Sequence, residues 1–139
     1  MPRSDTRNRA TSESSIVDAA IWLIALGAIG VTLWYSLGAE PPGHASDKDL
    51  HGIAYFVNTL ALLLAVVWRP GREDRRARDW SIPIAACVLA AGGLIEIAQG
   101  AFAGRDAQVT DWVADAVGVA LALLTFTLLR RRWKTASSI

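Results

Sequence analysis

A chain of 139 residues has room for one bundle and no separate soluble domain, and its 19% of charged residues falls below the quarter or so usual in water-soluble domains. Hydrophobic residues make up 53%, and they gather into long runs separated by short charged clusters, the pattern of a membrane chain. The formal net charge of +1 excludes the strongly basic balance of a nucleic-acid binder, and the single cysteine, Cys87, excludes an intrachain disulfide.

Residues 1–15 are polar and read as a tail. The first apolar run, 16–37, is long enough to span and has no convincing cleavage site, so it is expected to remain as an anchor. Gly38-Ala-Glu-Pro-Pro-Gly43 then reads as a loop. Further apolar runs cover 50–68, 82–101 and 109–129, separated by a gap that opens Arg69-Pro-Gly-Arg72 and by Ala103-Gly-Arg-Asp106. Each run has about twenty residues, enough at 1.5 Å per residue to cross a hydrocarbon core of ~30 Å. Trp22, Trp34, Tyr35, Trp68, Trp80, Trp112 and Trp133 lie mostly near run ends, where indole suits the headgroup zone. Cys87 lies midway along the third run and is expected to be a small core filler. There is no internal repeat. The expected fold is all-α, an integral membrane four-helix transmembrane bundle over 16–129, with a basic tail at 130–139.

Orientation follows from Lys and Arg. Arg3, Arg7 and Arg9 precede the first run, and Arg69, Arg72, Arg75, Arg76 and Arg78 fill the middle loop. Arg130, Arg131, Arg132 and Lys134 follow the last run. The other two loops hold only Lys48 and Arg105. The positive-inside bias, operating here on short segments, places both termini and the middle loop in the cytoplasm. The plainer reading of the basic clusters is that they set topology; the sharper one is that they recruit anionic lipid headgroups.

Polar groups inside spans are costly and ask for a reason. At ~100° per residue, Asp47, Lys48, His51, Tyr55 and Asn58 fall on one face of the second span. Glu96 and Gln99 are neighbours on the third. Asp111, Asp115, Gly118, Ala122 and Thr125 form one stripe on the fourth, whose small residues admit a close neighbour. With the charge-derived orientation, the three polar faces share one level, the outer third of the membrane. Each has a plainer reading. Ser46 or Asp47 caps the second span, and Thr110 or Asp111 the fourth; Arg105 neutralises Asp106 or Asp111; His51 alone is more often a packing residue than a catalyst. Glu96 is hardest to dismiss, lying a turn or more inside an apolar helix.

Spans two and four direct their positive dipole ends outward, and Lys48 and Arg105 add charge, so an anionic group such as a phosphate is a candidate ligand. Asp47, Glu96, Asp111 and Asp115 oppose an anion unless protonated or paired. The alternative to an anion is a metal held by the carboxylates and His51 with oxygen-rich coordination, which the lack of a dense ligand motif disfavours, and no metal is expected. His51 and Glu96 are the candidates for acid–base work, but no nucleophile motif accompanies them. No cofactor is expected. The reaction class and oligomeric state stay open.

Taken in order, Asp47-Lys48-x-x-His51-x-x-x-Tyr55, Glu96-x-x-Gln99, Gly104-Arg105, Asp111, Asp115 and Gly118 resemble the VanZ-like family over roughly residues 45–125. Two positions depart from it: Asp115 stands where Asn is common, adding a carboxylate, and Ala122 replaces a second glycine. The resemblance implies a bacterial multi-spanning membrane protein of the cell envelope, in a family whose namesake is associated with low-level teicoplanin resistance. It supplies no catalytic assignment. The expectation is an outward polar pocket formed by Asp47, Lys48, His51, Tyr55, Glu96, Gln99, Arg105, Asp111 and Asp115. Its expected partners are membrane lipids or a lipid-linked wall precursor, and no nucleic acid. A membrane-embedded enzyme and a scaffold using the small-residue stripe are the alternatives.

Overall fold

The computed structural model describes residues 4–38, 47–67, 80–102 and 109–136, with the side chains of 4–14, 37–38, 47, 99 and 102 outside the description. They form four helices: α1 Ser4–Gly38, α2 Asp47–Val66, α3 Ser81–Phe102 and α4 Val109–Ala136. Each is long and apolar enough to cross a membrane. Their large apolar side chains are widely exposed, Leu23, Ile53, Leu94 and Val113 among them, as expected of a bundle solvated by acyl chains rather than water.

Helix ends depart from the apolar runs where the chemistry permits. No glycine or proline occurs between Pro2 and Gly27, so α1 is already helical at Ser4, through residues expected as a tail. At the other end α4 continues through Arg130, Arg131, Arg132 and Lys134, whose charges complement the negative end of the helix dipole. Pro83 lies in the first turn of α3, where its missing N–H is no loss; the next amide, Ile84 N–H, donates to Trp80 O at 3.0 Å.

The contacts determine the helix directions. His51 of α2 meets Asp115 of α4, Tyr55 packs with Val119, and Leu63 with Phe126, so α2 and α4 run parallel. Gly92 of α3 adjoins Tyr55 and Asp115 while Ile84 packs near Leu63 and Phe126, so α3 is antiparallel to both. Thr32 of α1 bonds Asn58 of α2 and Ala25 packs with Ala61 and Ala65, so α1 is antiparallel to α2. Helix α2 is central: it touches the other three and packs most extensively on α4. Helix α1 is peripheral; Ala25 is its one buried apolar residue among those described. Polar bonding fixes it in place. Asn58 Nδ2 donates to Thr32 Oγ1 at 2.8 Å, and the Thr32 hydroxyl donates to Ala28 O at 2.9 Å.

The α2–α4 pair is close because of Gly118. A Cβ there would overlap the Gly52 carbonyl oxygen and lie 2.9 Å from Phe56 N. The buried stripe of α4 runs Asp111, Asp115, Gly118, Val119, Ala122 and Phe126; Thr125, expected on it, is only half-buried and Phe126 takes the inward place. Cys87 corrects another expectation: it is exposed on α3 and fills no core position.

Candidate functional site

Because α2 and α4 begin at the end of the bundle where α3 finishes, their first two turns and the last two of α3 form one level. Glu96 enters from α3, His51 and Tyr55 from α2, and Asp111 and Asp115 from α4. Tyr55, Asp111 and Asp115 are buried, Asp115 to 1% exposure; His51 and Glu96 are half-buried.

The best-defined contact joins His51 Nδ1 to Asp115 Oδ1 at 3.0 Å. With Asp115 ionised, the proton belongs on Nδ1, which donates to the carboxylate; Nε2 is then the basic nitrogen of the ring. A carboxylate on one nitrogen fixes both the tautomer and the ring's orientation. One turn further on, the Tyr55 ring lies nearly coplanar in direction, with planes 6° apart and centroids 6.4 Å apart. This ring pair and the Asp115 bond hold the imidazole from two sides.

Gly92 supplies the space opposite. A Cβ on Gly92 would lie 2.8 Å from Asp115 Oδ2 and 2.9 Å from the Tyr55 hydroxyl oxygen, so only glycine lets α3 cover those two groups. Beside it, Trp112 of α4 reaches across α3: its indole N–H donates to Leu89 O at 3.3 Å, and Gly93 leaves room for the ring. The glycine pair therefore brings α3 onto the polar level. Glu96, one turn beyond Gly92, brings a carboxylate oxygen to the same place. Ligand-capable atoms of His51, Glu96 and Asp111 all lie within 4.8 Å of one another. Asp111 receives one long contact, 3.5 Å from Thr110 Oγ1.

Of the nine residues expected at the site, His51, Tyr55, Glu96, Asp111 and Asp115 meet. Lys48 is exposed and makes no ion pair among the described residues. The side chains of Asp47 and Gln99, and all of Arg105 and Ser46, lie outside the described residues. Asn58 shares the His51 face but turns to α1, where it serves packing. Sequence reasoning missed Gly92, Gly93 and Trp112; an adjacent glycine pair inside an apolar helix was the available signal of a close approach.

The cluster combines an oriented imidazole with carboxylates of unequal surroundings, so it can exchange protons, accept hydrogen bonds from hydroxyl or amine groups, or hold a cation. No curated protein and no solved structure matches the chain. A family does: VanZ/LLP1 matches residues 2–130, from ahead of α1 to deep in α4 and through every residue of the cluster, and the chain belongs to that family.

Proposed function

We propose that this multi-pass membrane protein sits in the bacterial cytoplasmic membrane with both termini inside, and that its polar cluster opens outward to bind the headgroup of an envelope lipid or lipid-linked wall precursor. The observation that carries the reading is convergence: five polar side chains from three helices meet at one end of an otherwise apolar bundle. The loop charges support an outward direction for that end. A site at this depth suits a molecule whose tail stays among acyl chains while its headgroup reaches the helix ends. Protection against glycopeptides such as teicoplanin would follow from engaging such a molecule, in keeping with the family's namesake.

The test is native mass spectrometry of the chain purified in detergent and incubated with extracted envelope lipids. Wild type and Cys87→Ala are expected to retain a headgroup-bearing lipid, and His51→Ala to lose it. Equal retention by all three overturns the reading. Orientation is checked separately by single cysteines at Gly43 and Gly71 in a Cys87→Ala background, expected to label from outside and inside respectively.

One observation favours a second reading, an enzyme acting on the same ligand. The His51–Asp115 pair is the arrangement that holds a general base in a working tautomer. Turnover of an envelope lipid, abolished in Glu96→Gln, is its test. The scaffold alternative has less support, since Gly118, the centre of the small-residue stripe, is covered by α2 of the same chain.

A further inference from the structure

We propose that His51, Glu96 and Asp111 bind one divalent transition cation of the zinc class, with Asp115 holding His51 in place as a ligand. The inference rests on reading the cluster as a functional site and names what completes it.

Geometry comes first. Tetrahedral zinc with nitrogen and oxygen ligands at about 2.0–2.2 Å places its ligand atoms roughly 3.3 Å apart. The three candidate atoms already lie within 4.8 Å of one another, on three different helices. A contraction of this order is within reach of rotations about the side-chain bonds of Glu96 and Asp111, with no backbone shift. The donor set selects the ion class. An imidazole disfavours magnesium and calcium, which take oxygen, while two carboxylates and no thiolate suit zinc, manganese or ferrous iron.

The surroundings of the ligands point the same way. Metal-bound histidines almost always donate their other ring N–H to a carboxylate or carbonyl. Asp115, buried and 3.0 Å from His51 Nδ1, is in place for this when Nε2 is the ligand atom. Asp111 is the second, independent indication. It is 4% exposed, and its contact among the described residues is the long one, 3.5 Å, from Thr110 Oγ1 to Oδ1. A carboxylate with so little access to water and no strong donor is costly unless a positive charge stands beside it. Three protein ligands would also leave a coordination position open. A phosphate oxygen fits that position, which explains how a cluster of three carboxylates can receive an anionic headgroup.

The test uses the full chain in detergent, with metal alone as the probe. Cobalt(II) titration followed by its visible absorption, and zinc content after desalting, are expected to give one ion per chain. His51→Ala and Asp111→Asn should each abolish stoichiometric binding, with Glu96→Gln as a further variant should either fail to fold. Asp115→Asn should weaken binding roughly 10–100-fold without abolishing it, the effect of a residue acting through a ligand. Cys87→Ala should bind as wild type. No stoichiometric ion in folded wild type, or full binding by folded His51→Ala, overturns the proposal. Lipid binding by folded wild type that takes up no stoichiometric ion overturns the metal site while leaving the headgroup reading intact. One ion per chain with no lipid retained upholds the metal site and removes the headgroup reading alone.

Discussion

Two glycines face each other across the α2–α4 contact, and they are expected to respond oppositely to the same change. At Gly118 an added methyl meets the Gly52 carbonyl and lies 2.9 Å from Phe56 N, where ordinary contact begins near 3.4 Å. These are backbone atoms, so no rotamer change relieves the overlap; the helices must separate by about an ångström. Overpacking of this kind costs about 1–3 kcal/mol, partly offset by the roughly 0.5–1 kcal/mol that alanine gains over glycine in a helix. Gly118→Ala should therefore lose about 1–2 kcal/mol. At Gly52 an added methyl has Ala114 O at 3.6 Å as its nearest neighbour, an ordinary contact, so Gly52→Ala should be neutral or slightly stabilising. Equilibrium unfolding of the purified chain in mixed micelles with rising SDS measures both. Gly118→Ala should also loosen the His51–Asp115 bond, since both partners stand within a turn of the contact, and so weaken ligand retention. Equal stability of the two variants would refute the assigned α2–α4 approach.

At the site, Gly92→Ala should reduce lipid and metal binding, because its methyl would press on Asp115 Oδ2 and the Tyr55 hydroxyl; binding equal to wild type in either assay counts against the placement of α3. Thr32→Val removes the acceptor for Asn58 Nδ2 and should cost about 0.6 to 1.7 kcal/mol in the same unfolding assay, with binding at the distant cluster unchanged. Glu96→Gln should lose the bound ion and with it the rise in thermal stability that added zinc gives wild type; the ion retained with stability lowered would make Glu96 a structural residue.

Much of this architecture is legible in the residues because a membrane leaves few choices. Apolar runs of spanning length must be helices. The polar level was legible for the same reason: His51, Glu96 and Asp115 are expensive where they stand, so each needs a partner. Helical periodicity reports a face but not which neighbour covers that face. Asn58 shows the difference, lying on the His51 side of α2 yet bonding to Thr32 of α1. Cys87 and Thr125 show it again, because an apolar helix carries no polarity contrast to say which side meets lipid. The start of α1 at Ser4 was hidden for another reason: polarity marks the end of a span, while only a breaker or cap marks the end of a helix.

The parallel pairing of α2 and α4 explains why the cluster is acidic and why Glu96 stands apart within it. Asp111 and Asp115 lie in the first two turns of α4, and the α2 start stands beside them, so two positive dipole ends face these carboxylates. Asp115 in turn orients the His51 ring, in the tautomer with its proton on Nδ1. Glu96 comes from the opposite direction, on a helix that runs antiparallel to both. Helix direction therefore sets Glu96 apart from the two aspartates. A cation held by Glu96, Asp111 and His51 would tie α3 to the α2–α4 pair and make that joint depend on the ligand.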